Sequence, residues 1–189
     1  VAIVVLALVG LAIATILTVT HFDLVHGAGE GGMCVFASVF DCDRVNISEY
    51  SEIRSVPVSI LGQASLVTFV ALALLGALAP PPVARRCGAY LFLAAALATG
   101  FCGYLFHAAA VRLGAFCSLC VLLDAICVAI LVLAMAARRG GIRVLVPEAA
   151  RAVATFPIRG EAWCAAVVLA GTATLLGEQY FTMQDRVVR

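Results

Sequence analysis

The sequence predicts an all-α membrane protein with five transmembrane helices and one long outer loop. Of its 189 residues, 64% are apolar and 12% are charged, and its mean hydropathy is +1.12. A soluble domain of this size covers its core with more charge than that. The lipid bilayer is therefore the expected surrounding. The formal net charge of +1 gives no reason to expect a nucleic-acid partner.

Five apolar runs are candidates for the transmembrane helices. A hydrocarbon core of about 30 Å is crossed by about 20 helical residues. The predicted spans are about 1–20, 57–78, 87–106, 116–137 and 162–177. The fifth is short for a span, and the fourth carries a single charge at Asp124.

The outer loop, 21–56, begins with the flexible stretch HGAGEGG and becomes more ordered after Cys42. Beyond that cysteine, apolar side chains recur near three-residue spacing, and charged residues fall between them. The apolar residues are Val45, Tyr50, Ile53 and Val56. This spacing predicts a short amphipathic helix that lies on the outer surface and covers the bundle. An irregular, solvated loop is the alternative.

Arginine counts set the predicted orientation, because short cytoplasmic loops are rich in basic residues. Seven arginines follow the second and fourth spans: Arg85, Arg86, Arg138, Arg139, Arg143, Arg151 and Arg159. Five lie on the opposite side. We therefore expect a cytoplasmic N-terminus, with the 21–56 loop and the 107–115 turn on the outer face. All twelve basic residues are arginine, and together with the abundance of Ala, Val, Leu and Gly this suggests a GC-rich bacterial genome. In a bacterial inner membrane the outer face is periplasmic, where disulfides persist.

Eight cysteines divide into two groups. Four lie singly in or beside apolar runs, where cysteine commonly behaves as a small hydrophobe: Cys87, Cys102, Cys127 and Cys164. The others form two close pairs, Cys34 with Cys42 and Cys117 with Cys120. Two spans separate these pairs along the chain, so both are expected on the outer face, where they can meet.

The pair Cys117 and Cys120 falls where the fourth span begins. Free N–H groups at a helix start favour a thiolate, and we expect this at Cys117. Cys120 lies about 4.5 Å deeper at 1.5 Å per residue. The first thiol is thus placed to meet a protein thiol, and the second to meet a lipid-soluble electron acceptor such as quinone. Two pairs on one face indicate a thiol–disulfide relay.

Three strings together resemble the vitamin K epoxide reductase family in its bacterial branch. Cys34 to Ser48 reads C-x7-C-D-R-V-x-x-S, Val56 to Gly62 reads V-P-V-S-x-x-G, and a C-x-x-C opens a later helix. The resemblance covers about residues 1–137. It implies a four-helix bundle around a quinone of the ubiquinone, menaquinone or vitamin K type, and a fifth span that often leads to a fused thioredoxin-like domain.

The resemblance also implies roles for the four paired cysteines. Cys34 would exchange with the partner, Cys42 would carry electrons to Cys117, and Cys120 would reduce the quinone. The fused domain is not in this sequence, so we expect a separate periplasmic thioredoxin-fold (DsbA-like) protein as partner.

Two further residues are candidates for the quinone site. Ser48 matches the serine of the family's loop. Asp124 lies one turn below Cys120, where the family pattern leads us to expect a small or aromatic residue. An ionisable residue inside a span is a functional candidate, able to protonate reduced quinone or to tune Cys120. A role in helix packing is the alternative.

The function expected from the residues and the resemblance is a membrane thiol–quinone oxidoreductase that supports disulfide formation. Reduction of vitamin K, or of its epoxide, is one alternative. Four-helix disulfide oxidases of the DsbB type also use cysteine pairs to pass electrons to quinone, but they lack the C-x7-C-D-R-V-x-x-S string. A membrane metal-binding protein that uses the same cysteines is another alternative, since thiolates bind zinc or copper(I). The leading hypothesis has no metal site.

Overall fold

The computed structural model describes residues 1–25, 40–53, 56–137, 142–155 and 177. The helices are α1 (Ala2–Val25), α2 (Cys42–Asn46), α3 (Val58–Leu78), α4 (Pro81–Ala108), α5 (Ser118–Ala136) and α6 (Ile142–Thr155). A π-helical turn, Ala109–Leu113, continues α4. Two short strands, β1 (Glu52–Ile53) and β2 (Val56–Pro57), pair antiparallel in the loop before α3.

Four helices in the described part of the chain are long and apolar enough to cross a bilayer: α1, α3, α4 with its π turn, and α5. They pack in a ring, since α1 contacts α3 and α5, and α4 contacts the same two helices. The protein is therefore a helical, multi-pass membrane protein. The predicted fifth span, 162–177, lies outside the described residues apart from Gly177.

Small residues let α1 approach its neighbours closely. Ala7 and Ala14 have no exposed surface, and a Cβ added to Gly10 would lie 2.9 Å from Leu66 Cδ2. Close backbone approach of this kind strengthens van der Waals packing between helices in lipid. The face of α1 towards α3 is thus densely packed around Gly10.

A buried polar cluster also joins α1 to α3. Gln63 Nε2 donates to Thr18 Oγ1 at 2.9 Å, and Thr18 Oγ1 lies 2.8 Å from both Ser59 Oγ and the Ala14 carbonyl. Both Gln63 and Thr18 are almost fully buried. Hydrogen bonds of this kind, about 1 kcal/mol each, fix helix register within a membrane.

The helix bounds differ from the sequence prediction at several ends. Helix α1 continues beyond residue 20 to Val25, and α4 begins six residues before the predicted Cys87. The run of prolines permits that early start, because the first turn of a helix needs no N–H donors. Helix α6 occupies part of the predicted loop after the fourth span and packs against α4 through buried Leu145 and Ala149.

The predicted amphipathic surface helix is largely wrong. Among the described residues of this stretch, only Cys42–Asn46 are helical, and the chain then turns into the β1–β2 hairpin, where Ile53 pairs with Val56. The Ser48 hydroxyl donates to the Val45 carbonyl, and the Ser51 hydroxyl donates to the Ser48 carbonyl, each at 2.7 Å. These local bonds capture carbonyl groups that a continuing helix would need.

His21, which is 2% exposed, fastens this loop to α1. Its Nδ1 lies 2.7 Å from the Asn46 carbonyl oxygen, and its Nε2 lies 3.0 Å from Glu52 Oε1. A carbonyl oxygen and an ionised carboxylate can only accept hydrogen bonds. Each of the two hydrogen bonds therefore needs a proton on the ring nitrogen that makes it. Asn46 Nδ2 in turn donates to the Leu17 carbonyl at 3.3 Å.

We expect His21→Leu to lower the free energy of unfolding by about 1–3 kcal/mol, because it leaves two acceptors without their donor. Thermal unfolding of the detergent-solubilised protein measures the change. His107→Leu, at an exposed histidine on α4, is the matched control and should leave stability nearly unchanged. Equal stability of the two variants would show that His21 does not hold the loop.

Candidate redox site

Helix α5 begins with a cysteine in place of the usual capping residue. The Cys117 sulfur accepts the backbone N–H of Cys120 at 3.2 Å, and its carbonyl accepts the N–H of Val121 at 3.0 Å. Ser, Thr, Asp and Asn normally supply the N-cap acceptor. Just upstream, Gly114 has a φ of 61°, a left-handed conformation that glycine adopts without strain. This turn reverses the chain from α4 into α5.

The outer loop is docked directly onto this helix start. Phe40 and Phe116 form a parallel β-bridge, in which the Asp41 N–H donates to the Phe116 carbonyl at 2.9 Å. The Asp41 carboxylate then caps α2 by accepting the N–H of Arg44, also at 2.9 Å. Because Cys42 is the first residue of α2, these bonds place its side chain beside the start of α5.

Three sulfur atoms therefore lie in sequence at the mouth of the bundle. Cys42 Sγ is 3.7 Å from Ser118 Oγ and within hydrogen-bonding reach of the Cys117 sulfur. Cys117 is in turn hydrogen-bonded to the Cys120 thiol. Cys42 and Cys117 are 3% and 2% exposed, so water has little access to the exchange between them.

The predicted thiolate at Cys117 is not favoured in this reduced arrangement. Cys117 lies one residue before the spanning helix, and the hydrogen bond with the Cys120 thiol and burial raise its pKa above the ordinary value. The backbone N–H of Cys120 and the thiol of Cys42 lower the pKa, but by less. Burial and the neighbouring thiol thus raise the pKa of Cys117 by more than its position at the helix start lowers it.

Behind the sulfur atoms lies a pocket of about 180 Å³, between α3, α4 and α5. A cavity needs only ~10–15 Å³ to hold one water molecule, so this pocket is more than ten times that size. Its walls are mainly apolar: Leu66, Phe101, Leu105, Phe106, Val121 and Leu123. The outer loop covers it through Val45, Asn46 and Tyr50, and Cys117 and Cys120 both line it.

The structure brings together three of the four predicted relay cysteines, Cys42, Cys117 and Cys120. Cys34 lies outside the described residues. The other two candidates, Ser48 and Asp124, both line the pocket.

Two pocket residues were missed by the sequence interpretation, which treated Cys102 and Cys127 as small hydrophobes. Both line the pocket, and the Cys102 thiol is hydrogen-bonded to Cys127 and to Asp124. A usable signal was the spacing of Cys120, Asp124 and Cys127, since residues at i, i+4 and i+7 share one helix face.

Metal coordination finds no support in this part of the molecule. In residues 1–25, 40–53, 56–137 and 142–155, no group of three His, Cys, Asp or Glu side chains could hold a metal ion.

A bundle of membrane helices that closes on an apolar pocket, with thiols at its mouth, defines the chain as a helical membrane protein built for redox chemistry. The family model of the Vitamin K epoxide reductase family matches residues 1–135. The chain therefore belongs to that family, which confirms the resemblance seen in its motifs and makes it an oxidoreductase. No curated protein matches the chain.

The contact among the sulfur atoms predicts which disulfide can be trapped. In a Cys34→Ser/Cys120→Ser variant, Cys117 has lost its resolving thiol and Cys42 its loop partner. Mild oxidation should then link Cys42 to Cys117 in most molecules, because these two sulfurs already lie within hydrogen-bonding reach. Mass spectrometry of peptides kept under non-reducing conditions would detect the bridge.

The matched control for this trap is Cys42→Ser in the same background, which should give no bridged peptide at Cys117. If Cys42 and Cys117 both remain open to alkylation after oxidation, the docked loop of the structure does not support exchange.

Proposed function

We propose that this protein is a membrane thiol–quinone oxidoreductase that oxidises a thioredoxin-fold protein on the outer face and reduces quinone in the bilayer. The observation that carries the proposal is the line of contacts from Cys42 through Cys117 to Cys120, which ends in an apolar pocket. Disulfide exchange passes two electrons by successive thiolate attack, so sulfurs in contact form a path.

The arrangement of the helices supports an outward-facing relay. The loop, the start of α3 and the start of α5 lie together at one end of the bundle, since Asp41 bonds to Phe116 and Val58 bonds to Ser51. At the opposite end of the bundle, α3 connects to α4 and α5 is followed by α6. This end carries exposed arginines at 85, 143 and 151. Basic residues favour the cytoplasmic side, and this supports a periplasmic position for the cysteines in a bacterial inner membrane.

The residues around the pocket fit a quinone. Phe101 and Phe106 offer aromatic faces for a planar ring, and ring stacking contributes about 0.5–1.5 kcal/mol beyond burial. Asn46 and Ser59 lie on the pocket lining with groups able to donate hydrogen bonds to carbonyl oxygens. A bound quinone supplies a two-electron, two-proton acceptor, and ubiquinone, menaquinone and vitamin K share that chemistry.

The chain's own residues perform the remaining steps. Cys34 takes electrons from the partner's dithiol, which becomes a disulfide, and passes them to Cys42. Cys42 then attacks Cys117 of the Cys117–Cys120 disulfide, which frees the Cys120 thiol on the pocket side and leaves a Cys42–Cys117 disulfide. Cys34 attacks Cys42 in that bridge, so the Cys34–Cys42 disulfide reforms and Cys117 is released. The Cys117 and Cys120 thiols then give two electrons and two protons to the quinone and close their own disulfide. The docked loop buries Cys42 and Cys117, which limits the access of water to the exchange between them.

The family also makes reduction of vitamin K, or of its epoxide, a second candidate. The same thiols would donate electrons to vitamin K, or to its epoxide, bound in the same pocket. The two functions differ in the acceptor and in the donor that keeps the thiols reduced, so parallel assays with quinone and with the epoxide separate them.

The direct test follows quinone absorbance in reconstituted protein supplied with a reduced thioredoxin-fold protein. We expect wild type to reduce quinone and Cys120→Ala to lose the activity with every donor, by a hundredfold or more. Cys34→Ala should fail with the protein donor but work with a small dithiol, because only the outermost exchange is missing.

Cys87→Ala is the matched control, since this buried cysteine of α4 is absent from the pocket lining and should leave the rate unchanged. Undiminished turnover in Cys120→Ala would contradict the relay, and so would quinone that wild type leaves untouched.

A further inference from the structure

A second pair of thiols lies deeper in the same pocket. Cys102 belongs to α4 and Cys127 to α5, and these two helices pack against each other. The Cys102 thiol is hydrogen-bonded to the Cys127 sulfur and to the Asp124 carboxyl. Cys127 is 6% exposed, and all three side chains line the pocket.

The placement of this group separates it from the relay at the pocket mouth. Cys127 follows Cys120 by seven residues, which is about 10 Å along a helix at 1.5 Å per residue. Cysteines joined by a disulfide have their α-carbons about 4.4–6.8 Å apart. Direct exchange between Cys120 and Cys127 is therefore excluded, and the deeper pair is reached from the pocket.

The chemistry of the group is that of a dithiol with its own proton acceptor. An ionisable side chain within a span is costly unless it is paired or faces a cavity, and Asp124 does both. The sulfurs of Cys102 and Cys127 come from neighbouring helices and already lie in hydrogen-bonding contact. A bond between them would need side-chain adjustment and would link α4 to α5.

We propose that Cys102 and Cys127 are a second redox pair, which quinone in the pocket oxidises to a disulfide between α4 and α5. The two S–H bonds break, one S–S bond forms, and two electrons with two protons convert quinone to hydroquinone. Asp124 accepts the proton of Cys102 and returns it to a quinone oxygen. Hydroquinone reverses the reaction. The inference rests on the proposed function, because it requires a quinone in this pocket.

The test uses a chain in which the relay cysteines Cys34, Cys42, Cys117 and Cys120 are all serine. The reduced protein is mixed without oxygen with a short-chain benzoquinone. We expect one quinone reduced per protein and a disulfide-linked peptide that contains Cys102 and Cys127. Cys127→Ser in this background should give neither product, and Asp124→Asn should form the disulfide at least tenfold more slowly.

Cys87→Ser in the same background is the matched control and should keep both products. Should the serine background fail to fold, the same peptide analysis on the full chain after quinone treatment replaces it. Full alkylation of Cys102 and Cys127 after quinone treatment overturns the inference.

The outcomes also separate this inference from the proposed function. If the full chain passes electrons from a dithiol to quinone while Cys102 and Cys127 stay thiols, the second pair is wrong and the relay stands. If the deep disulfide forms but Cys120→Ala still turns over, the relay is wrong and the second pair stands. If neither quinone reduction nor the disulfide is seen, both are overturned.

Discussion

The hydrogen bond from the Asp41 N–H to the Phe116 carbonyl holds together the two segments on which the site depends. One is an outer loop, whose order after Cys42 comes from local serine bonds and from His21. The other is the start of a membrane helix, whose first N–H groups have no helical partners. The bridge between Phe40 and Phe116 joins them edge to edge. The contact of Cys42 with the start of α5 follows from that junction, while the contact of Cys117 with Cys120 belongs to the first turn of α5.

Cys117 and Cys120 lie at a helix start, and the bilayer makes that position different from a helix interior. Within hydrocarbon, backbone groups must be satisfied internally, so a helix interior leaves no N–H group available to a sulfur atom. At the first turn of α5, the Cys117 sulfur takes the N–H of Cys120 and so serves as both cap and thiol. Replacing it with serine would preserve the cap and remove the chemistry, which makes that substitution a clean way to separate stability from activity.

Apolar length was sufficient to predict the four spans of the described residues, although α1 and α4 extend beyond their predicted bounds. Helix α3, for example, starts one residue from its predicted boundary at residue 57 and ends at the predicted Leu78. The paired cysteines could be singled out because pairs and motifs are local patterns. The hairpin at β1–β2 was not, since it depends on serine side chains that compete for carbonyl groups. The contact between Cys102 and Cys127 joins residues 25 positions apart on different helices, and single cysteines in apolar runs give no sign of it.

The bundle combines a tight helix contact with a pocket. Around Gly10 of α1, Leu66 of α3 approaches closely, and the buried Gln63–Thr18 bond joins the same two helices. The cysteines of the pocket lie on α4, at the start of α5 and along α5, while its serine hydroxyls lie on α3 and the loop. The disulfide proposed above would join α4 to α5 and so link two walls of this pocket.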